Sequence, residues 1–89
     1  MIATAIGELE PRRRATVSGE LMSVASYELP WVRTDAELGD GTGVVLLRFI
    51  GRNVVPGLVP GRRIVVRGTP AVRNGVLVID NPLYEFGAG

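Results

Sequence analysis

Trp31-Val32-Arg33-Thr34-Asp35-Ala36-Glu37-Leu38, Gly39-Asp40-Gly41-Thr42-Gly43 and Val44-Val45-Leu46-Leu47-Arg48-Phe49-Ile50 follow one another in the chain and decide its fold class. In the first segment Val32, Thr34, Ala36 and Leu38 alternate with Trp31, Arg33, Asp35 and Glu37. A period of two with charge on one side belongs to a half-buried strand, predicted here over 31–38. The Asp40-Gly41 step inside a glycine-dense run is a hairpin signal. The segment after it is apolar on both sides except for Arg48. It predicts a central strand over 44–50, with Val45, Leu47 and Phe49 inward and Arg48 outward.

The flanking sequence continues the pattern. Residues 13–27 form the first strand candidate, with Ala15, Val17, Gly19 and Leu21 alternating with Arg14, Thr16, Ser18 and Glu20. The run is too long for a flat strand, and Gly19 predicts a bend or bulge. Two Pro-Gly steps in 51–61 leave room for at most one helical turn. A fourth strand is expected over 62–69, with Ile64, Val66 and Gly68 opposite Arg63, Val65 and Arg67. A loop over 70–75 ends in an Asn74-Gly75 hairpin turn, and a fifth strand spans 76–80. Asn81-Pro82 stops it, Tyr84 and Phe86 anchor a tail, and 87–89 is expected to fray. At the other end, Ile2, Ala5, Ile6 and Leu9 fall at helical spacing until Pro11, so a short helical turn should dock Ile6 and Leu9 on the sheet. The expected fold is a single all-β domain over 1–89: a five-stranded Greek-key OB-fold barrel with a short N-terminal helical turn. An SH3-like barrel or a small open sandwich is the alternative. The long bent first strand and the Asp-Gly hairpin favour the OB arrangement.

Composition narrows the function. The 89 residues include no Cys and no His. Disulfides, thiolate metal sites and the commonest general base are therefore absent. All ten basic residues are Arg against nine acids, a net charge of +1, so any affinity for a polyanion must come from a local patch plus stacking. The 13 Val and 5 Ile against 7 Ala, cut by 12 Gly and 6 Pro, agree with an all-β chain. No apolar run approaches the roughly 18 residues of a membrane span. The first residues lack a basic region, so a cytoplasmic protein is expected. Gly39, Gly41 and Gly43 do not form a phosphate loop: the spacing differs from G-x-G-x-x-G, and a strand follows where a helix N-terminus is needed. Asp35 and Glu37 share a face without a third ligand, so no metal is expected, and no carboxylate pair stands out as a general acid and base. No cofactor and no catalytic residue are expected.

Several segments, in order, carry a family resemblance: Ile6-Gly7-Glu8-Leu9, Thr16-Val17-Ser18-Gly19, Leu38 to Gly43, Phe49-Ile50-Gly51-Arg52, Val55 to Gly61, Val66-Arg67-Gly68 and Asn81 to Phe86. Over about residues 6–86 the chain resembles OB domains of the tRNA-anticodon-like and helicase-wedge type, and more closely the small stand-alone OB-fold proteins of actinobacteria. The resemblance implies single-stranded nucleic-acid binding without catalysis. The loop between the first two strands is shorter here than in larger OB domains.

Such binding needs flat side chains for bases and cations for phosphates. Tyr27 and Trp31 bracket the first interstrand loop and are the candidate stacking platform. Arg33 and Arg48 are expected outward on adjacent strands, and Arg52 and Arg73 extend the track. Asp35 and Glu37 on the same face oppose phosphate. Arg12-Arg13-Arg14 is the only basic run, with Glu8 and Glu10 before it, and Arg62, Arg63 and Arg67 lie off the expected face. The expected partner is single-stranded DNA or RNA. A protein-interaction or homo-oligomerisation module on the same fold is the alternative, because Val44, Leu46, Ile50 and Val65 fall at outward apolar positions and mean hydropathy is +0.25.

Overall fold

Alternation of apolar and polar residues builds seven strands in the computed structural model, which describes residues 3–87. They are β1 (Ala15–Tyr27), β2 (Arg33–Gly39), β3 (Val44–Ile50), β4 (Arg63–Gly68), β5 (Pro70–Arg73), β6 (Val76–Asp80) and β7 (Leu83–Phe86), preceded by a 3-10 turn at Ile6–Glu8. The chain is all-β, as expected. Its one sheet runs β5-β6-β3-β2-β1-β4-β7, and every neighbouring pair is antiparallel except β3–β6.

The expected inward faces are the observed ones except at Val32, which with Trp31 falls in the loop before β2 and is exposed. Val17 and Leu21 of β1, Ala36 and Leu38 of β2, Val45, Leu47 and Phe49 of β3, and Ile64 and Val66 of β4 are buried together with Ile79 of β6. Thr34 is buried with them, and its hydroxyl donates to the Arg52 carbonyl at 2.8 Å. The 51–61 segment, expected only as a connection, supplies two further core side chains, Val55 and Leu58. They flank a Pro56-Gly57 turn closed by the Leu58 N–H on the Val55 carbonyl, with Gly57 at φ 81°. Pro followed by a left-handed Gly is the type II signature.

The sheet departs from the expectation in strand number. Seven strands replace five, and the hydrogen-bonded ladder has two ends rather than closing on itself. Residues 70–73 pair as β5 because Pro70 takes the first position of the strand, where its missing N–H costs least. Asn74 and Gly75, at φ 52° and 78°, form the tight turn to β6. Tyr84 and Phe86 anchor the tail by placing it as β7 beside β4. Tyr84 meets Phe49 edge-to-face at 5.5 Å. Pro70 faces Ile79 across β5–β6 and Arg67 faces Leu83 across β4–β7. The two ladders differ in register by one residue, taken up between Asp80 and Leu83.

Gly19 has a different role from the one expected. The register shift of β1 falls between Leu21 and Ser23. A Cβ on Gly19 would lie 2.5 Å from the Gly39 carbonyl oxygen, so the glycine permits close passage of two strands. At this point β1 changes partner, with Glu20 facing both Gly39 of β2 and Arg63 of β4.

The N-terminal turn docks as expected, and Asp40 holds it. One Asp40 carboxylate oxygen accepts the Ile6 N–H at 2.9 Å, and the other accepts the Thr42 N–H and hydroxyl at 2.9 and 2.6 Å. Ile6 is buried and Leu9 packs against the core. Ile2 and residues 88–89 lie outside the described residues, and the N–H of Gly87 is bonded to the Arg63 carbonyl. No helix among the described residues is long and apolar enough to cross a membrane.

Candidate functional site

The β1–β2 hairpin ends on the pair Tyr27 and Arg33, with Trp31 in the loop between them. Alternation puts Arg33 and Asp35 on the outer face of β2, and the in-register hairpin sets Asp35 directly opposite Arg48 of β3. The side chains close into one cluster. The Arg33 guanidinium carbon lies 4.3 Å from the Tyr27 ring centroid and 4.7 Å from that of Trp31. The Arg48 guanidinium lies 5.5 Å from the Trp31 ring. All three are cation–π distances.

Asp35 sits between the two arginines. Arg48 binds it through two donors, Nε to Oδ1 at 3.0 Å and Nη2 to Oδ2 at 3.1 Å. Arg33 Nε donates to Oδ2 at 3.4 Å, and its Nη1 to the Leu29 carbonyl at 3.3 Å. The three charged side chains are largely buried, at 13–20% exposure. The Asp35 hydrogen bonds hold the Arg48 guanidinium even more firmly protonated than usual, against the cost of burial, and the Asp35 and Asp80 charges add to the effect. Trp31 and Tyr27 remain 41% and 42% exposed, so flat aromatic surface stays open beside a fixed cation.

Four of the six expected site residues, Tyr27, Trp31, Arg33 and Arg48, therefore come together. Arg52 is exposed, and its backbone is held near the hairpin through its carbonyl bond from Thr34. Arg73 is outside the cluster, on β5 two strands from Arg48, and is ion-paired to Asp80 at 2.6 Å. Asp80 is itself in register with Arg48 through the parallel β3–β6 pair. Asp35, expected only as an opposing charge, is the centre of the cluster. Symmetry about the Asp40-Gly41 step would set Asp35 against Leu46; the observed pairing centres on Gly41-Thr42 and sets it against Arg48, so only their shared outer face was readable from the sequence. The place of Asp80 was not, because a parallel pairing leaves no local signal.

Beyond the cluster, a groove of about 310 Å³ crosses the same face, lined by Ser23, Ala25, Tyr27, Asp35, Glu37, Val44, Leu46 and Val76. Glu37 accepts the Ser23 hydroxyl at 2.6 Å. The face thus carries Arg33, Arg48 and Arg73 against Asp35, Glu37 and Asp80, a local balance of charge. Among the described residues no three His, Cys, Asp or Glu side chains gather to hold a metal ion. No family model matches this chain, and no curated protein matches it.

Proposed function

We propose that the chain is an OB-type module that stacks the bases of single-stranded DNA or RNA on the hairpin-end cluster, in the cytoplasm and without catalysis. The carrying observation is the pair of half-exposed rings, Trp31 and Tyr27, with the Arg33 guanidinium fixed between them. A base placed on an aromatic ring is worth about 1–3 kcal/mol, whatever the base. Because Arg33 and Arg48 share Asp35, their charge toward a phosphate is partly cancelled, and stacking is the larger contribution of this cluster. Arg52 and Arg73 flank it.

The strand connections support the OB reading. β4 and β5 are separated by Thr69 alone, and β6 and β7 by two residues. Taken as two long bent strands, 63–73 and 76–86, they reduce seven strands to five and link β3 back to β1. A Cβ on Gly68 would lie 2.5 Å from Ile79 Cγ2, a close passage suited to such a corner. In an OB barrel the β2–β3 face and the flanking loops take oligonucleotides, and the cluster occupies the matching place. Trp31 is the single tryptophan, so its emission reports on the site directly. A single-stranded 20-mer should quench it saturably; unaltered emission at low salt would remove Trp31 from the binding surface.

The groove favours a second reading, an interaction or homo-oligomerisation module. Val44 and Val76 on its rim are 51% and 50% exposed, and Ile50 on the same strand is 45% exposed. Leu46→Glu should then dissociate an oligomer, and a wild-type chain that sediments as a monomer would defeat the homo-oligomer version.

A further inference from the structure

On the face formed by β1 and β4, the basic residues differ from those of the aromatic cluster. Thr16 faces Arg67 across the two strands, and Arg67 Nε donates to the Thr16 hydroxyl at 3.2 Å. Arg14 stands two residues before Thr16, just ahead of β1, and borders a groove with Glu8, Glu10 and Arg13. Arg12 is tied alongside by its N–H on the Pro70 carbonyl at 2.8 Å. Arg13 is paired with Glu10. Arg12, Arg14 and Arg67 are exposed and have no acidic partner within ion-pair distance among the described residues. The nearby acids are Glu8 and Glu10, which border a groove with Arg14, and Glu85, which borders one with Arg67, none of them in ion-pair contact with these arginines, while Glu20 faces Arg63 further along the strands.

Glu10-Pro11-Arg12-Arg13 is a turn closed by the Arg13 N–H on the Glu10 carbonyl, and Arg12 has φ 67°. This position after proline favours glycine. The chain places Gly57 and Gly61 at the matching positions of its two other Pro turns, both left-handed. At residue 12 it keeps an arginine in a conformation that L side chains rarely adopt.

We infer that Arg12, Arg14 and Arg67 hold backbone phosphates of a nucleic acid on the outer face of β1 and β4, at a site apart from the aromatic cluster. The inference rests on the nucleic-acid reading and divides its work: bases stack at the hairpin end, and phosphates are gripped along β1 and β4, where these arginines make no ion pair.

The test is anisotropy of a labelled single-stranded 20-mer over a salt series with wild type, Trp31→Ala and the triple variant Arg12→Gly, Arg14→Gln, Arg67→Gln. Removing one arginine from a phosphate lowers the log-log salt slope by about 0.7. The triple variant should lose about 2 units of slope, while Trp31→Ala weakens binding with the slope retained. Arg12→Gly alone, which relaxes the turn, should lose about 0.7 and keeps the test valid if the triple variant does not fold. Retained slope in a folded triple variant that binds overturns the site and leaves the stacking reading intact. No binding by wild type at any salt overturns both. Binding to phosphatidylserine vesicles that the triple variant loses, with 20-mer affinity unchanged, also overturns the site, because the face then serves an anionic lipid surface.

Discussion

Asp35 is the residue on which the cluster turns, since two guanidinium groups share its carboxylate. Asp35→Asn should destabilise the fold by about 1.5–3 kcal/mol, the range for hydrogen bonds to charged groups. It should also tighten oligonucleotide binding at low salt, because Arg33 and Arg48 are then uncancelled. Chemical denaturation and a titration at two salt concentrations check the two halves, and weaker binding by a folded variant would contradict the second. Asp40 gives a pH signature. Its pKa falls from the ordinary 3.8 to about 2, chiefly because the Ile6 N–H and then the Thr42 hydroxyl and N–H bind the charged form. A folded-state pKa below the unfolded one adds stability that is full above about pH 4 and is lost as pH falls through about 2. Between those limits Asp40→Asn should lose stability less steeply than wild type in parallel melts; equal slopes would show that the tether contributes nothing. The outward places of Trp31, Arg33 and Arg48 were legible in a period of two. The strained backbone of Arg12 was not, because Pro-Arg carries no turn signal comparable to Pro-Gly.

The β2–β3 hairpin was the most legible element: alternation fixes its faces, while the pairing centres on Gly41-Thr42, one residue beyond the Asp-Gly step, which moves the register by two residues and leaves the faces unchanged. The region from β4 to β7 was the least legible. Pro70 and Asn81-Pro82 read as strand ends, whereas pairing resumes at once on the far side of each. Gly68 lies at that interruption, where a Cβ would meet a stiff branch of Ile79. Gly68→Ala should therefore cost about 1–3 kcal/mol, the ordinary penalty for overpacking. Gly41→Ala, with open space around it but φ 88°, should cost about 1–2 kcal/mol from backbone strain alone. Thermal melts separate the two causes if Ile79→Leu is added, because leucine lacks the β-branch that carries Cγ2. It should relieve the Gly68→Ala variant and leave the Gly41→Ala variant unaided.

For the molecule as a whole, the core depends on packing that local sequence does not announce. Val55 and Leu58 enter it from a segment rich in Pro and Gly, and the parallel β3–β6 pair carries Asp80 to Arg48 across the sheet. The net charge of +1 conceals an uneven distribution: a balanced face bearing exposed aromatics, and a face whose arginines have no acidic partner among the described residues. The proposed binding, base stacking at the hairpin end and phosphate pairing along β1 and β4, rests on that distribution. The most direct measurement is a titration of a labelled single-stranded 20-mer with wild type and Trp31→Ala, with duplex as competitor. A preference for the single strand, weakened about 5- to 150-fold in a folded Trp31→Ala variant, is the predicted result, the equivalent of one stacked base at about 1–3 kcal/mol. Equal affinity of the two proteins, or no binding at low salt, would contradict it.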